Sequence, residues 1–348
     1  MFSTEAQTQA SLAVELRQLY FDYRGVSVFE RLDWGVYRGE FHTVLGASGS
    51  GKTTLLRLIA GLQQPRAGSV WLDGKEATGY DTHRRGVALV GQTAATYDHL
   101  SVANNLRLAE ELSSQASEGL REELVGQFGL RGVLLQKPSE LSGGQLQRLA
   151  IVRALLSQRP LLLMDEPLAH LQESMRSPIR KLLRRWQQQR GVTCIYVTHD
   201  SLEACEISDR VSVIGDCKVL QTAAPQTVYR RPASRAVAEL LGRPTVQWIE
   251  VPERASVVGL RPADWQVVSC NSSDERFDEV FEALEDRVRI VGRLVSMRQV
   301  ESSQWWEVQV GQELILVVWQ EAAQLSTAPL SIGSVVELKQ WNPIWLER

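Results

Sequence analysis

The chain has 348 residues, with 38 Lys plus Arg against 41 Asp plus Glu and a formal net charge of −3. That length holds two domains and a sizeable core, and the near-neutral balance argues against a general nucleic-acid binder. No apolar stretch reaches transmembrane length, residues 1–11 lack a charged-then-apolar leader, and Cys194, Cys205, Cys217 and Cys270 show no C-x-x-C spacing; the expectation is a cytoplasmic protein with reduced thiols and neither a disulfide framework nor a zinc cluster.

Val14–Leu16, Leu19–Phe21 and Val26–Phe29 read as short strands of a small β subdomain. Tyr23 falls at a turn with Arg24 and Gly25. An aromatic there either stacks on a nucleotide base or covers a sheet edge. Phe41–Leu45 predicts a strand, and Thr53–Ala60 predicts a helix stopped by Gly61. Between them runs Gly46-Ala47-Ser48-Gly49-Ser50-Gly51-Lys52-Thr53-Thr54, the G-x-x-x-x-G-K-[ST] phosphate loop. Strand, glycine loop, helix is the context that pattern requires. The glycines let the backbone turn so that its amides cradle phosphate oxygens at the positive end of the helix. Lys52 supplies a cation for the β- and γ-phosphates, and the Thr53 hydroxyl is the expected Mg²⁺ ligand.

Gly68–Asp73 and Gly86–Val90 are further strand candidates. Gln92 comes next, with an amide able to reach a metal or a water near the γ-phosphate. From Ala94 to Gln136 the pattern turns helical, with Leu106, Leu108 and Leu112 apolar in one segment and Leu120, Leu124 and Phe128 in the next. These helices form an insert over about residues 94–160. Leu141-Ser142-Gly143-Gly144-Gln145 then opens an amphipathic helix to Ser157. Ser142 and two glycines at a helix start make either a second anion site or an ordinary N-cap. Leu161–Met164 reads as a strand buried on both faces, ending in Asp165 and Glu166 where open α/β sheets bind ligands. Asp165 would hold Mg²⁺ through its water shell, and Glu166 would take a proton from an attacking water. Ser177 and Pro178 predict the start of another helix, with Ile179, Leu182, Leu183 and Trp186 buried and Arg180, Lys181, Arg184 and Arg185 solvated. Val192–Thr198 is a further buried strand, and His199 at its end is a candidate γ-phosphate contact.

In this order the motifs resemble the nucleotide-binding subunits of ABC transporters, and more narrowly the ATPase subunits of bacterial importers. The resemblance rests on Tyr23, Gly46–Thr54, Gln92, the full Leu141–Gln145 signature, Asp165-Glu166 and His199, and spans residues 12–242. It implies an α/β P-loop NTPase fold with a helical insert, ATP and Mg²⁺ as cofactors, and adenine stacking by Tyr23. It also implies a head-to-tail homodimer in which Ser142–Gln145 of one copy completes the ATP site of the other. The partners it implies are a membrane permease and, indirectly, a substrate-binding protein; the place is the cytoplasmic face of the membrane, as a peripheral subunit. Ferric iron is the substrate that the phosphate-loop run suggests, with polyamine, sulfate and sugar importers close. A soluble ABC protein acting on ribosomes or DNA, or a binding module with weakened hydrolysis, are the other classes. Three positions depart from the family pattern: Gln172 replaces the usual D-loop aspartate, Gly91 precedes Gln92 where an aromatic is common, and Asp98 stands in place of a proline.

Residues 243–348 read as a second domain after the linker Leu240–Pro244. Val258-Gly-Leu-Arg261-Pro262 looks like the opening of the importers' regulatory domain, Ser269–Phe277 reads as a polar loop, and 288–295, 305–310, 313–319 and 335–341 read as strands, the middle two joined at Gly311-Gln312. The rhythm suggests a small all-β, OB-like (TOBE-type) barrel, with Trp305, Trp306, Trp319, Trp341 and Trp345 at its core and rim.

Overall fold

The structure is a computed structural model, and it describes residues 11–111, 113, 119–242, 246–251, 256–271, 280–283, 287–300, 303–310, 313–320, 335–341 and 343–347. The Gly311-Gln312 turn and residues 272–277 of the polar loop lie outside the described residues. Two compact units divide the chain, Met1–Pro225 and Gln226–Arg348.

In the first unit, β1 (Leu12–Tyr23), β2 (Val26–Tyr37), β4 (Ala67–Leu72) and β5 (Lys75–Glu76) form an antiparallel sheet in the order β2-β1-β4-β5. The sequence reading split β1 in two. It is one strand with an irregularity: Leu16 pairs with Trp34 and Leu19 with Leu32, and Gln18 between them takes φ +46°. An extra residue in a ladder bends a strand without ending it.

The second sheet runs β10-β9-β3-β8-β7-β6. Its strands are β3 (Phe41–Leu45), β6 (Val87–Val90), β7 (Leu161–Asp165), β8 (Thr193–Thr198), β9 (Arg210–Gly215) and β10 (Lys218–Ala223), parallel except for β10 at the edge. Every residue of β3, β7 and β8 is buried. Their apolar runs divide by the two-residue period of a strand. Leu162, Met164, Cys194 and Tyr196 face one core with α2 (Val102–Glu111), α3 (Leu120–Gln127), α4 (Gly143–Leu156) and α5 (Glu173–Arg190). Leu161, Leu163, Ile195 and Val197 face the other, with α1 (Lys52–Ala60) and the antiparallel sheet. Two packed faces explain why these strands read as continuous hydrophobic runs.

Two expectations about α5 are corrected. The helix starts at Glu173, so Pro178 stands inside it and not in its first turn. Arg180 is not solvated: it is 5% exposed and paired with Glu203 and Glu206 of α6 (Ser201–Ile207). A charge at a helix position that meets another helix is kept buried by its partners.

The division after Pro225 falls ahead of the 242/243 boundary read from the sequence. α7 (Pro225–Arg230) and α8 (Arg235–Leu240) are tied to the residues just after β12 (Ser256–Leu260). The buried Arg261 guanidinium donates to the carbonyls of Tyr229 and Leu241 and lies 3.9 Å from the Tyr229 ring centre.

The second unit is all-β in its sheets. β11 (Gln247–Val251), β12 and β19 (Ile344–Glu347) form one sheet. The other contains β13 (Trp265–Asn271), β14 (Val280–Ala283), β15 (Arg287–Val300), β16 (Ser303–Val310), β17 (Glu313–Gln320) and β18 (Val335–Trp341). Ser269–Asn271, read as loop, thus belongs to β13. Ile249, Val258 and Leu260 of the first sheet share a core with Ile290, Trp306, Val317 and Leu338 of the second. Trp306 is buried and Trp305 half-buried, while the side chains of Trp319, Trp341 and Trp345 lie outside the described residues.

Candidate functional site

Register places the chemistry at one level of the sheet. Leu45 of β3 pairs with Thr198 of β8, and Asp165 of β7 pairs with Val197. Gly46, His199 and Glu166 are therefore each about one residue past the same line, at the carboxyl ends of three adjacent strands. That edge is where open parallel sheets collect ligands.

The loop after β3 is packed closely. Gly49 and Gly51 take φ +80° and +97°, a region glycine enters freely. A methyl on Gly46 would stand 2.6 Å from the Ile214 carbonyl oxygen. Lys52 heads α1, is 6% exposed, and donates through Nζ to the carbonyls of Gly46 and Ala47 at 2.9 and 2.8 Å. Burial lowers its pKa, and the carboxylates of Glu166 and Asp165 oppose that shift. An open groove of about 710 Å³ is lined by Lys52, Thr53, Thr54, Ser48, Gly49 and Gly51, together with Tyr23, Val28, Gln92 and Glu166.

Tyr23 stands at this groove with its ring edge-on to Phe21 at 4.9 Å. Its hydroxyl lies 3.4 Å from Thr54 Oγ1 and donates to Gln63 Oε1 at 3.0 Å. Asp165 is 4% exposed at the end of β7. Burial raises its pKa, against a hydrogen bond from Thr53 that lowers it. Asp165 Oδ1 and Ser50 Oγ are buried with no partner among the described residues. Unpaired buried oxygens beside a lysine and an open groove fit a bound cation and phosphate. No three His, Cys, Asp or Glu side chains converge as a cage among the described residues; Mg²⁺ held through one carboxylate, a hydroxyl and phosphates needs none.

Glu166 takes φ +46°, uncommon for a residue with a Cβ, while its amide donates to the Val197 carbonyl at 2.9 Å. Its carboxylate Oε1 meets His199 Nδ1 at 3.1 Å. His199 is held from behind by residues the sequence reading passed over. Asp200 caps α6 by accepting from the amides of Leu202 and Glu203, and its own amide donates to Thr198 Oγ1. The buried Glu203 accepts from the hydroxyls of Tyr196 and Thr198, both at 2.9 Å. Asp200-Ser-Leu-Glu203 has capping-box spacing, a signal that was present in the sequence.

Ser142–Gln145 does not join this groove. Ser142 caps α4 by accepting from the Gln145 amide at 3.3 Å, and Gln145 Oε1 accepts from the Ser142 amide at 2.9 Å. Ser142 and Gly143 are exposed. Gln147, further along the same helix, is buried and approaches the Gly91 carbonyl at 3.5 Å, tying α4 to the loop that carries Gln92.

The ABC transporter family profile matches residues 29–169. A spermidine/putrescine import ATP-binding protein of Haemophilus influenzae is 35% identical over 257 residues, 72% of this chain and 68% of that protein. The chain belongs to the ABC transporter family. Other ABC relatives include an Fe(3+) ions import ATP-binding protein of Photorhabdus laumondii, 38% identical over 66% of each chain. A sn-glycerol-3-phosphate import ATP-binding protein of Chromohalobacter salexigens is 37% identical over 68% of this chain and 65% of its own. The chain spans about two thirds of the length of the curated relatives it matches. An ATP-binding subunit of an ABC transporter superposes with TM-score 0.57 at 28% identity, over 63% of this chain and 92% of that one. A dimeric ATP-binding cassette in a post-hydrolysis state, bound to ADP and Pi, gives 0.56 at 28% identity, over 61% and 98%. Among the described residues no helix is long and apolar enough to cross a membrane.

Proposed function

We propose that this chain hydrolyses ATP to drive import through a separate membrane permease. The observation that carries the reading is the Glu166–His199 pair, 3.1 Å apart at the level of the phosphate loop and beside the buried Asp165. The loop amides and Lys52 bind the β- and γ-phosphates, with Lys52 exchanging its two carbonyl partners for phosphate oxygens. Tyr23 offers its ring to the adenine. Thr53, Asp165 and Gln92 would hold Mg²⁺, which when bound neutralises charge on the phosphates. Glu166 takes the proton of the attacking water, and His199 orients that carboxylate and reaches the γ-phosphate.

Ser142 and Gly143 are exposed, and none of Ser142–Gln145 lines the groove of its own chain. That supports a head-to-tail dimer in which it contacts the nucleotide held by the partner subunit. The two β-sheets that follow α8 in the second unit support the reading of a TOBE-type regulatory domain. Relatives at 38, 37 and 36% identity are named for Fe(3+), sn-glycerol-3-phosphate and spermidine/putrescine. Ferric iron therefore rests on the phosphate-loop run, and the cargo is chosen by the permease and its binding protein.

The test is recovery of the tagged chain from gently solubilised native membranes. Co-purification of a polytopic membrane protein in a fixed ratio is the expected result. Recovery from the soluble fraction with ribosomal or DNA-repair partners would overturn the importer reading.

A further inference from the structure

The nucleotide groove draws on two elements far apart in the chain. The phosphate loop leads into α1, whereas Tyr23 is the last residue of β1, at the tip of a hairpin. Arg24 and Gly25 turn that tip at φ +53° and +87°, and Tyr23 pairs with Val26, which is exposed. Loop tips are where a chain is least constrained. Tyr23 is itself 42% exposed, so burial alone does not fix its ring. We propose that Gln63 is a positioning residue for nucleotide binding: its amide ties the Tyr23 hydroxyl to α1 and so holds the ring where a base stacks. The proposal rests on the reading of Tyr23 as the base-stacking residue.

Gln63 meets the hydroxyl with both atoms of its amide. Oε1 accepts from it at 3.0 Å, and Nε2 donates to it at 2.6 Å. Thr54 Oγ1 adds a longer contact at 3.4 Å. Both partners belong to α1 or to its end. Thr54 is buried in the first turn. Gln63 follows the Gly61 stop, and the amides of Leu62 and Gln63 donate back to the Arg57 carbonyl at 2.9 and 3.3 Å. The backbone that carries Gln63 is thus fastened to the helix that starts at the phosphate loop.

The ring body packs against Phe21 of β1 at 4.9 Å while its hydroxyl is held by α1. Base platform and phosphate loop then share one frame. Tyr23 and Thr54 line the groove, and Gln63 does not; Gln63 acts through Tyr23 and not on the ligand. A side chain that the ligand must itself immobilise weakens binding by about three- to tenfold. Stacking is tolerant of the base, since every base has a π face. Loss of the tie therefore falls equally on adenine and guanine nucleotides, and on no ligand that lacks a base.

The experiment titrates the full chain, with Mg²⁺, by calorimetry. ADP, GDP and inorganic pyrophosphate are the probes, none with a γ-phosphate to hydrolyse. Gln63→Leu and Tyr23→Phe should each bind ADP and GDP about three- to tenfold less tightly, and pyrophosphate within about twofold of the parent. The double variant should lose no more than the weaker single, because both changes cut the same tie. Tyr23→Phe cuts it from the other side, so it carries the test if Gln63→Leu does not fold. Tyr23→Ala, which removes the ring as well, should lose more than Tyr23→Phe. ADP affinity kept in Gln63→Leu and Tyr23→Phe but lost in Tyr23→Ala would overturn the role of Gln63 and leave the stacking reading standing. Additive losses in the double variant, an equal loss for pyrophosphate, or a loss for ADP without one for GDP would also overturn it. Unchanged ADP affinity in Tyr23→Ala would remove the stacking reading and the proposal with it.

Discussion

A methyl group added at Gly51 tests how closely the phosphate loop is packed. Gly51 takes φ +97°, and an ideal Cβ there lies 2.8 Å from Val28 Cγ1 and 3.0 Å from Phe29 Cζ. Phe29 is fully buried and has little room to give. Left-handed backbone costs an alanine about 1–2 kcal/mol. Overpacking adds about 1–3 kcal/mol, and the stiffer unfolded chain returns about 0.4–1 kcal/mol. Gly51→Ala should therefore lose about 2–4 kcal/mol, which for a unit of this size lowers Tm by roughly 4–16 °C. Gly49 is the control. It also has positive φ, at +80°, but nothing lies within 4 Å of an added Cβ. Gly49→Ala should lose only the backbone cost, about 1 kcal/mol after the unfolded-state return. Thermal unfolding of both variants side by side, with ATP affinity measured on each, is the assay. Equal losses in the two, or Gly51→Ala unfolding with the parent, would refute the packing argument.

Two other sites give further outcomes. Gln172 occupies the N-cap of α5 in extended backbone, with no side-chain capping bond. Gln172→Asp should supply one and raise stability by about 1 kcal/mol; a lower Tm in the variant would contradict this. His42 is fully buried between Glu40 Oε1 at 2.9 Å and Ser212 Oγ at 2.7 Å, and burial lowers its pKa from the ordinary 6.5 despite the bond to Glu40. The unfolded chain then binds a proton that the folded one refuses, so stability is full above the unfolded value and is lost as pH falls below it. Urea midpoints of the parent and His42→Gln, compared from about pH 5 to 8, should converge on acidification; a constant difference would count against the assignment.

What could be read in the sequence was whatever depends on near neighbours. β3, β7 and β8 were legible because both faces of each are buried, and the phosphate loop because its chemistry lies in nine consecutive residues. Gly61 was legible as a helix stop for the same local reason, and it takes positive φ. Tertiary effects were not. Pro178 is a helix-start signal by itself, yet α5 begins at Glu173 because packing of Ile179, Leu183 and Trp186 holds the helix through the missing amide. Arg180 read as solvated because its partners, Glu203 and Glu206, are on α6. Gln63 could not be linked to Tyr23, 40 residues away, without the fold. The Ser142 signature was legible as a motif, but one chain leaves it outside the groove it is expected to serve.

The central claim is that Glu166 is the base of an ATP-hydrolysing site. Steady-state ATPase activity and ATP binding should be measured on the parent and on Glu166→Gln, with the size of each followed as ATP is added. The account predicts hydrolysis by the parent, ATP affinity kept in the variant, and turnover lower by roughly 10²-fold or more, with the variant accumulating as an ATP-bound dimer. Turnover near the parent's in Glu166→Gln, or no hydrolysis by the parent at all, would contradict it.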